Sequence, residues 1–198
     1  MLKIAITGGI ASGKSSILNV ISSKFPTISA DAEIAKMYEN PFILNEISQI
    51  FEKKVENKED IRTLVLENPL KRRLLEKLLH KKLYQTFSDY ERKNRLKGAK
   101  LCFFEIPLLF EKRKHRNYDA SIIANSPLFV RKRRFLQRSG NIVNFNKFNK
   151  IQLQLEQKKS FSREINTLIC DNYAQKIRLN SKINKIFLTL LKKKSTLY

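Results

Sequence analysis

Residues Leu2–Thr7 alternate in an Ile-rich run, which predicts a buried strand entering a turn at Gly8–Gly13. Lys14–Lys24 continues as a predicted helix with Ile17, Leu18 and Ile21 on one face, and Pro26 breaks it. Thr27–Ala30 reads as a second short strand ending at Asp31. From Asp31 to about Lys97 the spacing is mostly helical, interrupted at Asn40-Pro41 and Asn68-Pro69, with Leu74, Leu75, Leu78 and Leu79 recurring at helical intervals. Gly98 ends that block, and Lys100–Ile106 predicts a central strand closed by Pro107. A further strand is expected over Tyr118–Ala124, and Pro127 opens a basic helix through Arg138. After the break at Ser139-Gly140-Asn141 the pattern predicts one helix from about Phe145 to Phe161. Thr167–Cys170 reads as a last strand, and a terminal helix ends in Lys192–Lys194. Strands separated by helices predict an α/β fold, a parallel sheet with helices on both faces.

The 198 residues, 42% of them hydrophobic, suit one packed α/β core with inserted segments. No apolar run reaches the roughly 18–20 residues that span a bilayer. The N-terminus lacks the apolar stretch of a signal peptide, so no membrane partner is expected. Cys102 and Cys170 lie in apolar, strand-like runs and read as buried thiols of a cytoplasmic protein, with no Cys/His spacing for a metal. Lys and Arg total 40 against 18 Asp and Glu, a formal charge of +22. Such a field attracts polyanions. The basic residues are dispersed over nearly the whole chain and no nucleic-acid module accompanies them, so solvated helix faces are favoured over a nucleic-acid footprint.

Gly8-Gly9-Ile10-Ala11-Ser12-Gly13-Lys14-Ser15 fits G-x-x-x-x-G-K-[ST] between a predicted strand and a predicted helix. In this P-loop pattern glycines let successive backbone N–H groups converge on phosphate oxygens, and the helix adds its positive dipole end. Lys14 is expected to reach the β- and γ-phosphates of ATP and Ser15 to ligate Mg²⁺, with Ser16 completing the ATP-binding run. The acceptor must be read elsewhere, since NTPases of many activities share this loop. Asp31, after the second strand, has two readings: a base toward an acceptor hydroxyl, or a helix N-cap.

The chain resembles the dephospho-CoA kinase family. That family's T-G-G-I-x-[ST]-G-K-S is matched by Thr7 to Ser15, and its alanine–aspartate pair by Ala30-Asp31. Further matches in order are Ile61-Arg62, Val65-Leu66, Pro69, Arg72, Leu75-Glu76, His80 and the intact Pro107-Leu108-Leu109-Phe110-Glu111. Arg134 and Arg138 match an R-x-x-x-R pair on the family's lid helix. The resemblance implies a P-loop NTPase three-layer sandwich with a parallel sheet, a helical substrate-binding insertion and a small lid. The core would be residues 1–30, 98–126 and 162–198, the insertion about 31–97 and the lid about 127–161.

It also implies that Asp31 acts as base toward the ribose 3′-hydroxyl. Arg62 and His80 would bind acceptor, Pro107, Leu108 and Leu109 would shape its pocket, and Glu111 would contact substrate or brace the lid. Arg134 and Arg138, four apart, present two guanidinium groups on one face and could clamp the transferring phosphoryl group; a solvated basic face is the plain alternative. Glu105, at the end of the central strand, lies where P-loop proteins often keep an acid near Mg²⁺. The chain departs from the family at Asn57-Lys58, at Lys81, at Arg131 in place of a lid glutamine, at Ile165-Asn166 and at Asp171. The activity implied is phosphorylation of dephospho-CoA by ATP·Mg²⁺, in a monomer. Another small-molecule kinase, a nucleic-acid-stimulated P-loop ATPase, or a relic that only binds nucleotide are the rival readings.

Overall fold

A computed structural model describes residues 1–139, 141–172 and 181. The alternation at the N-terminus forms β1 (Leu2–Gly8) and splits its side chains between two faces. Ile4 and Ile6 join Ile17, Ile21, Phe103, Ile122 and Cys170 in one buried cluster, while Ala5 joins Leu109, Phe110, Ile123 and Ile165 in another. A sheet buried on both faces is the three-layer arrangement expected of βα alternation. Each fully buried Ile contributes about 1.5–3 kcal/mol. The remaining strands are β2 (Thr27–Ser29), β3 (Leu101–Glu105), β4 (Ala120–Asn125) and β5 (Asn166–Asp171). Their order is β2-β3-β1-β4-β5. The pairs β1–β3, β1–β4 and β4–β5 are parallel, with Gly8 opposite Ala124 and Asn125 opposite Asp171. Cys102 and Cys170 are both buried, as read from the sequence.

The chain divides into two compact units, residues 28–97 and the rest. In the smaller unit the long helical stretch becomes four helices: α2 (Ala30–Met37), α3 (Pro41–Phe51), α4 (Lys58–Glu67) and α5 (Pro69–Leu96). Both predicted breaks fall at capped starts. Asn40 accepts from Phe42 N at 2.9 Å, and Asn68 from Leu70 N and Lys71 N at 3.1 and 3.0 Å, each with Pro in the first turn. A third break was not legible: Glu52 ends α3 in the left-handed region with φ 55°, and an Asn57–Asp60 capping box opens α4. α5 buries Leu75, Leu79, Leu83 and Phe87 along one stripe, against which α2, α3 and α4 pack.

In the larger unit α1 (Lys14–Ser22) follows β1, and α6 (Leu128–Ser139) follows β4. The single helix expected over 145–161 is instead α7 (Ile142–Ile151) and α8 (Leu155–Ser160). Between them Gln152 turns extended, its side chain accepting from Ile10 N, while Leu153 N donates to Glu111 Oε1 at 2.9 Å. Long-range partners for these groups replace the helix that local spacing favours. The expected C-terminal helix lies outside the described residues.

Candidate active site

β1 delivers the loop Gly8–Ser15 to the edge where the neighbouring strands also end. Ser12 N donates to Gly9 O at 3.2 Å, and Gly13, at φ 89°, is the left-handed residue from which α1 starts. A side chain at Gly13 would strike Asn172 Nδ2, and one at Gly8 would strike the backbone oxygen of Ala124. Ala11 also holds φ 55°, a conformation that costs a non-glycine residue about 1–2 kcal/mol. The loop is therefore held from outside. Asn172 donates to Gly13 O at 2.9 Å, and Ser126 Oγ lies 3.1 Å from Ser12 O and 2.7 Å from Asn172 O. At the other end Gln152 takes the amide of Ile10.

Lys14 Nζ lies 3.4 Å from both Gly8 O and Gly9 O, so its ammonium sits over the first half of the loop. Ser15 and Ser16 are exposed in the first turn of α1. Arg134, half-buried, reaches Ser126 Oγ at 3.1 Å and Asn172 O at 2.8 Å, bringing it to the Gly13 end. Burial, then the neighbouring Arg138 and Arg133, push its guanidinium pKa down. Arg138 is exposed one turn on. Arg131 is a site residue that the sequence marked only as a departure. Its guanidinium covers Gly9, where an added Cβ would meet Nη1 at 2.7 Å, and it donates to Ser126 O and Asn149 Oδ1 at 3.2 and 2.9 Å.

Beside the loop lies a polar cavity of about 70 Å³, lined by Gly9, Ser12, Ser126, Arg131, Gln152 and Lys158 among others. Under it Glu111 Oε1 takes the Leu153 amide and sits 3.1 Å from Lys158 Nζ, both side chains buried. Glu111 thus contacts the segment between α7 and α8. Burial pushes the Lys158 ammonium pKa down despite Glu111. Ser12 Oγ and Glu111 Oε2 are buried with no partner among the described residues. Pro107 and Leu108 are half-buried, and Pro107 O accepts from Thr7 Oγ1 at 3.2 Å. Leu109 is wholly buried in the second cluster, so it acts on any neighbouring pocket through packing. Glu105 is buried at the end of β3.

Within the smaller unit, Asp31 is exposed in the first turn of α2, whose N-cap is Ser29, accepting from Ala32 N at 3.4 Å. The N-cap reading of Asp31 is therefore replaced by Ser29. Arg62 lines a groove of about 290 Å³ together with Tyr38, Lys58, Arg72 and Glu76 over an apolar floor of Ile61, Leu75 and Leu79. It also pairs with Glu59. His80 is exposed one residue beyond Leu79, edge-on to Tyr84. Asn57 and Lys58, departures from the family pattern, cap α4 and lie over the Tyr38 ring respectively.

Comparison with known proteins identifies the family. The dephospho-CoA kinase family model matches residues 2–176. A dephospho-CoA kinase of Rickettsia prowazekii is 32% identical over 161 residues, 80% of this chain and 83% of that protein. One from Bartonella quintana is 28% identical, covering 79% and 83%. Among solved structures, TT1252 from Thermus thermophilus superposes with a TM-score of 0.78 at 27% identity, covering 96% of this chain and 97% of its own. The dephospho-CoA kinase from Campylobacter jejuni shares the fold with a TM-score of 0.67 at 21% identity, covering 97% and 98%. With the family model matching residues 2–176 and a relative 32% identical over 80% of the chain, the chain belongs to the dephospho-CoA kinase family.

Proposed function

We propose that this protein transfers the γ-phosphoryl group of ATP to the ribose 3′-hydroxyl of dephospho-CoA, giving CoA and ADP in the cytoplasm. The observation that carries this reading is a preshaped Gly8–Ser15 loop, flanked by Lys14, Arg131 and Arg134, in a chain matched by the family model from residue 2 to 176. Phosphoryl transfer needs little covalent chemistry from the protein; positioning and charge neutralisation do most of it. Backbone amides of the loop, with Lys14, hold the phosphate tail. Arg134, with Arg138 beside it on the lid, stabilises charge developing on the transferred group.

Mg²⁺ fits the loop through the exposed Ser15 hydroxyl, because Mg²⁺ keeps few protein oxygens and takes the rest from phosphates and water. Held there, Mg²⁺ would supply positive charge to offset that of the phosphate tail. Asp31 serves as base toward the 3′-hydroxyl: its carboxylate is exposed and relieved of capping by Ser29. The groove bearing Arg62 suits an acceptor with both apolar and anionic parts, and His80 on α5 is a further candidate contact. Residues about 127–161 act as the lid that excludes water during transfer.

The test is incubation of the purified protein with ATP·Mg²⁺ and dephospho-CoA, with mass spectrometry of the products. CoA and ADP in equal amounts are expected. Hydrolysis of ATP without a phosphorylated acceptor would overturn the assignment, and phosphorylation of a nucleoside in its place would redirect it.

A further inference from the structure

Arg131 is a half-buried cation whose charge no carboxylate balances among the described residues. Its two bonds go to neutral oxygens, Ser126 O and Asn149 Oδ1. The other charged residue lining the cavity is Lys158, which repels it and already has Glu111. The sequence contains no Asp or Glu after Asp171. Burial pushes the Arg131 pKa down, as an uncompensated cation requires. Buried charges are normally paired, so a cation kept here at that cost points to an anion that arrives from outside.

Its position indicates which anion. Nη1 lies against Gly9, and the Lys14 ammonium lies against Gly8 O and Gly9 O. In a P-loop the lysine serves the outer phosphates, so the Gly9 end of the loop belongs to the terminal one. We propose that Arg131 is a phosphate-binding residue that, with Lys14, grips the terminal phosphate of a nucleoside triphosphate over Gly9. Ser126 O and Asn149 fix the guanidinium before the ligand enters, so little side-chain ordering is left to accompany binding. The inference rests on the ATP-binding reading above and adds to it a residue that distinguishes triphosphate from diphosphate.

Titration calorimetry of the full chain with ATP and with ADP tests it, using Arg131→Gln, Arg131→Lys and Asn149→Ala. Losing one charge-assisted contact should weaken ATP about tenfold in Arg131→Gln while ADP changes less than about twofold. Arg131→Lys should fall between wild type and Arg131→Gln. Asn149→Ala, which keeps the charge and loses its aim, should lose about threefold for ATP alone. Equal losses for ATP and ADP, or none, overturn the assignment of Arg131 and leave the kinase reading intact. A wild-type protein that binds neither nucleotide overturns both. Should Arg131→Gln fail to fold, the other two variants decide, and ATP affinity unchanged in both refutes the proposal.

Discussion

Replacing Lys158 by Met removes the cation from a pair that is almost enclosed, with side chains 2% and 7% exposed and Nζ 3.1 Å from Oε1. Met fills nearly the same volume, so the effect is one of charge rather than cavity. Glu111 keeps the Leu153 amide at 2.9 Å but loses its counter-ion. Stranding a buried charge this way costs about 3–5 kcal/mol. The carboxylate has an escape, which is to bind a proton. For an ordinary glutamate that costs about 1.4 kcal/mol per pH unit above about 4.3, or about 3.7 kcal/mol at pH 7 and about 1 kcal/mol at pH 5.

The penalty is therefore capped at those values and depends on pH. In the variant the folded state holds a proton that the unfolded chain releases, so its stability falls as pH rises through this range. Burial already pushes the Lys158 pKa of the parent down, so the parent is measured at both pH values. Urea unfolding followed by circular dichroism at pH 5 and pH 7, with the parent subtracted, measures the difference. A penalty equal at both pH values, or under about 1 kcal/mol at pH 7, would refute the argument. The double variant Glu111→Gln/Lys158→Met keeps an acceptor for Leu153 N and should regain most of the loss.

Gly8→Ala should abolish ATP binding, because the added carbon meets the backbone of Ala124, whereas Gly9→Ala meets only the side-chain end of Arg131 and should cost about tenfold or less; calorimetry that ranks them the other way contradicts the loop geometry. Gln152→Met should raise the KM for ATP about fivefold, about one hydrogen bond's worth, with the KM for dephospho-CoA unchanged. Steady-state kinetics showing both constants shifted together would assign Gln152 a merely structural role. Lys14→Ala and Asp31→Ala should each reduce turnover by more than about a hundredfold while thermal unfolding stays near the parent's. Near-normal turnover by Asp31→Ala would remove that residue from proton transfer.

What could be read before folding was whatever short-range physics specifies. The strand–glycine–helix passage Leu2–Ser22, the Asn-Pro starts of α3 and α5, and the five strands all lie within a few residues of their causes. Glycine backbone freedom, side-chain caps and 2- or 3.6-residue periods act at that range. The rim of the phosphate cradle does not. Ser126 meets Ser12 across 114 positions, Gln152 meets Ile10 across 142, and Asn172 meets Gly13 across 159. These side chains carry no motif because their roles exist only after parallel pairing sets Gly8 beside Ala124 and Asn125 beside Asp171, gathering the strand ends at one edge. The same gathering broke the helix expected over 145–161, since Gln152 and Leu153 found partners that local spacing could not offer. The chain's own letters thus determined that a phosphate-binding loop would form. Which arginine leans over it, and what holds it rigid, was decided by sheet register, because only register brings groups more than a hundred positions apart within hydrogen-bonding distance.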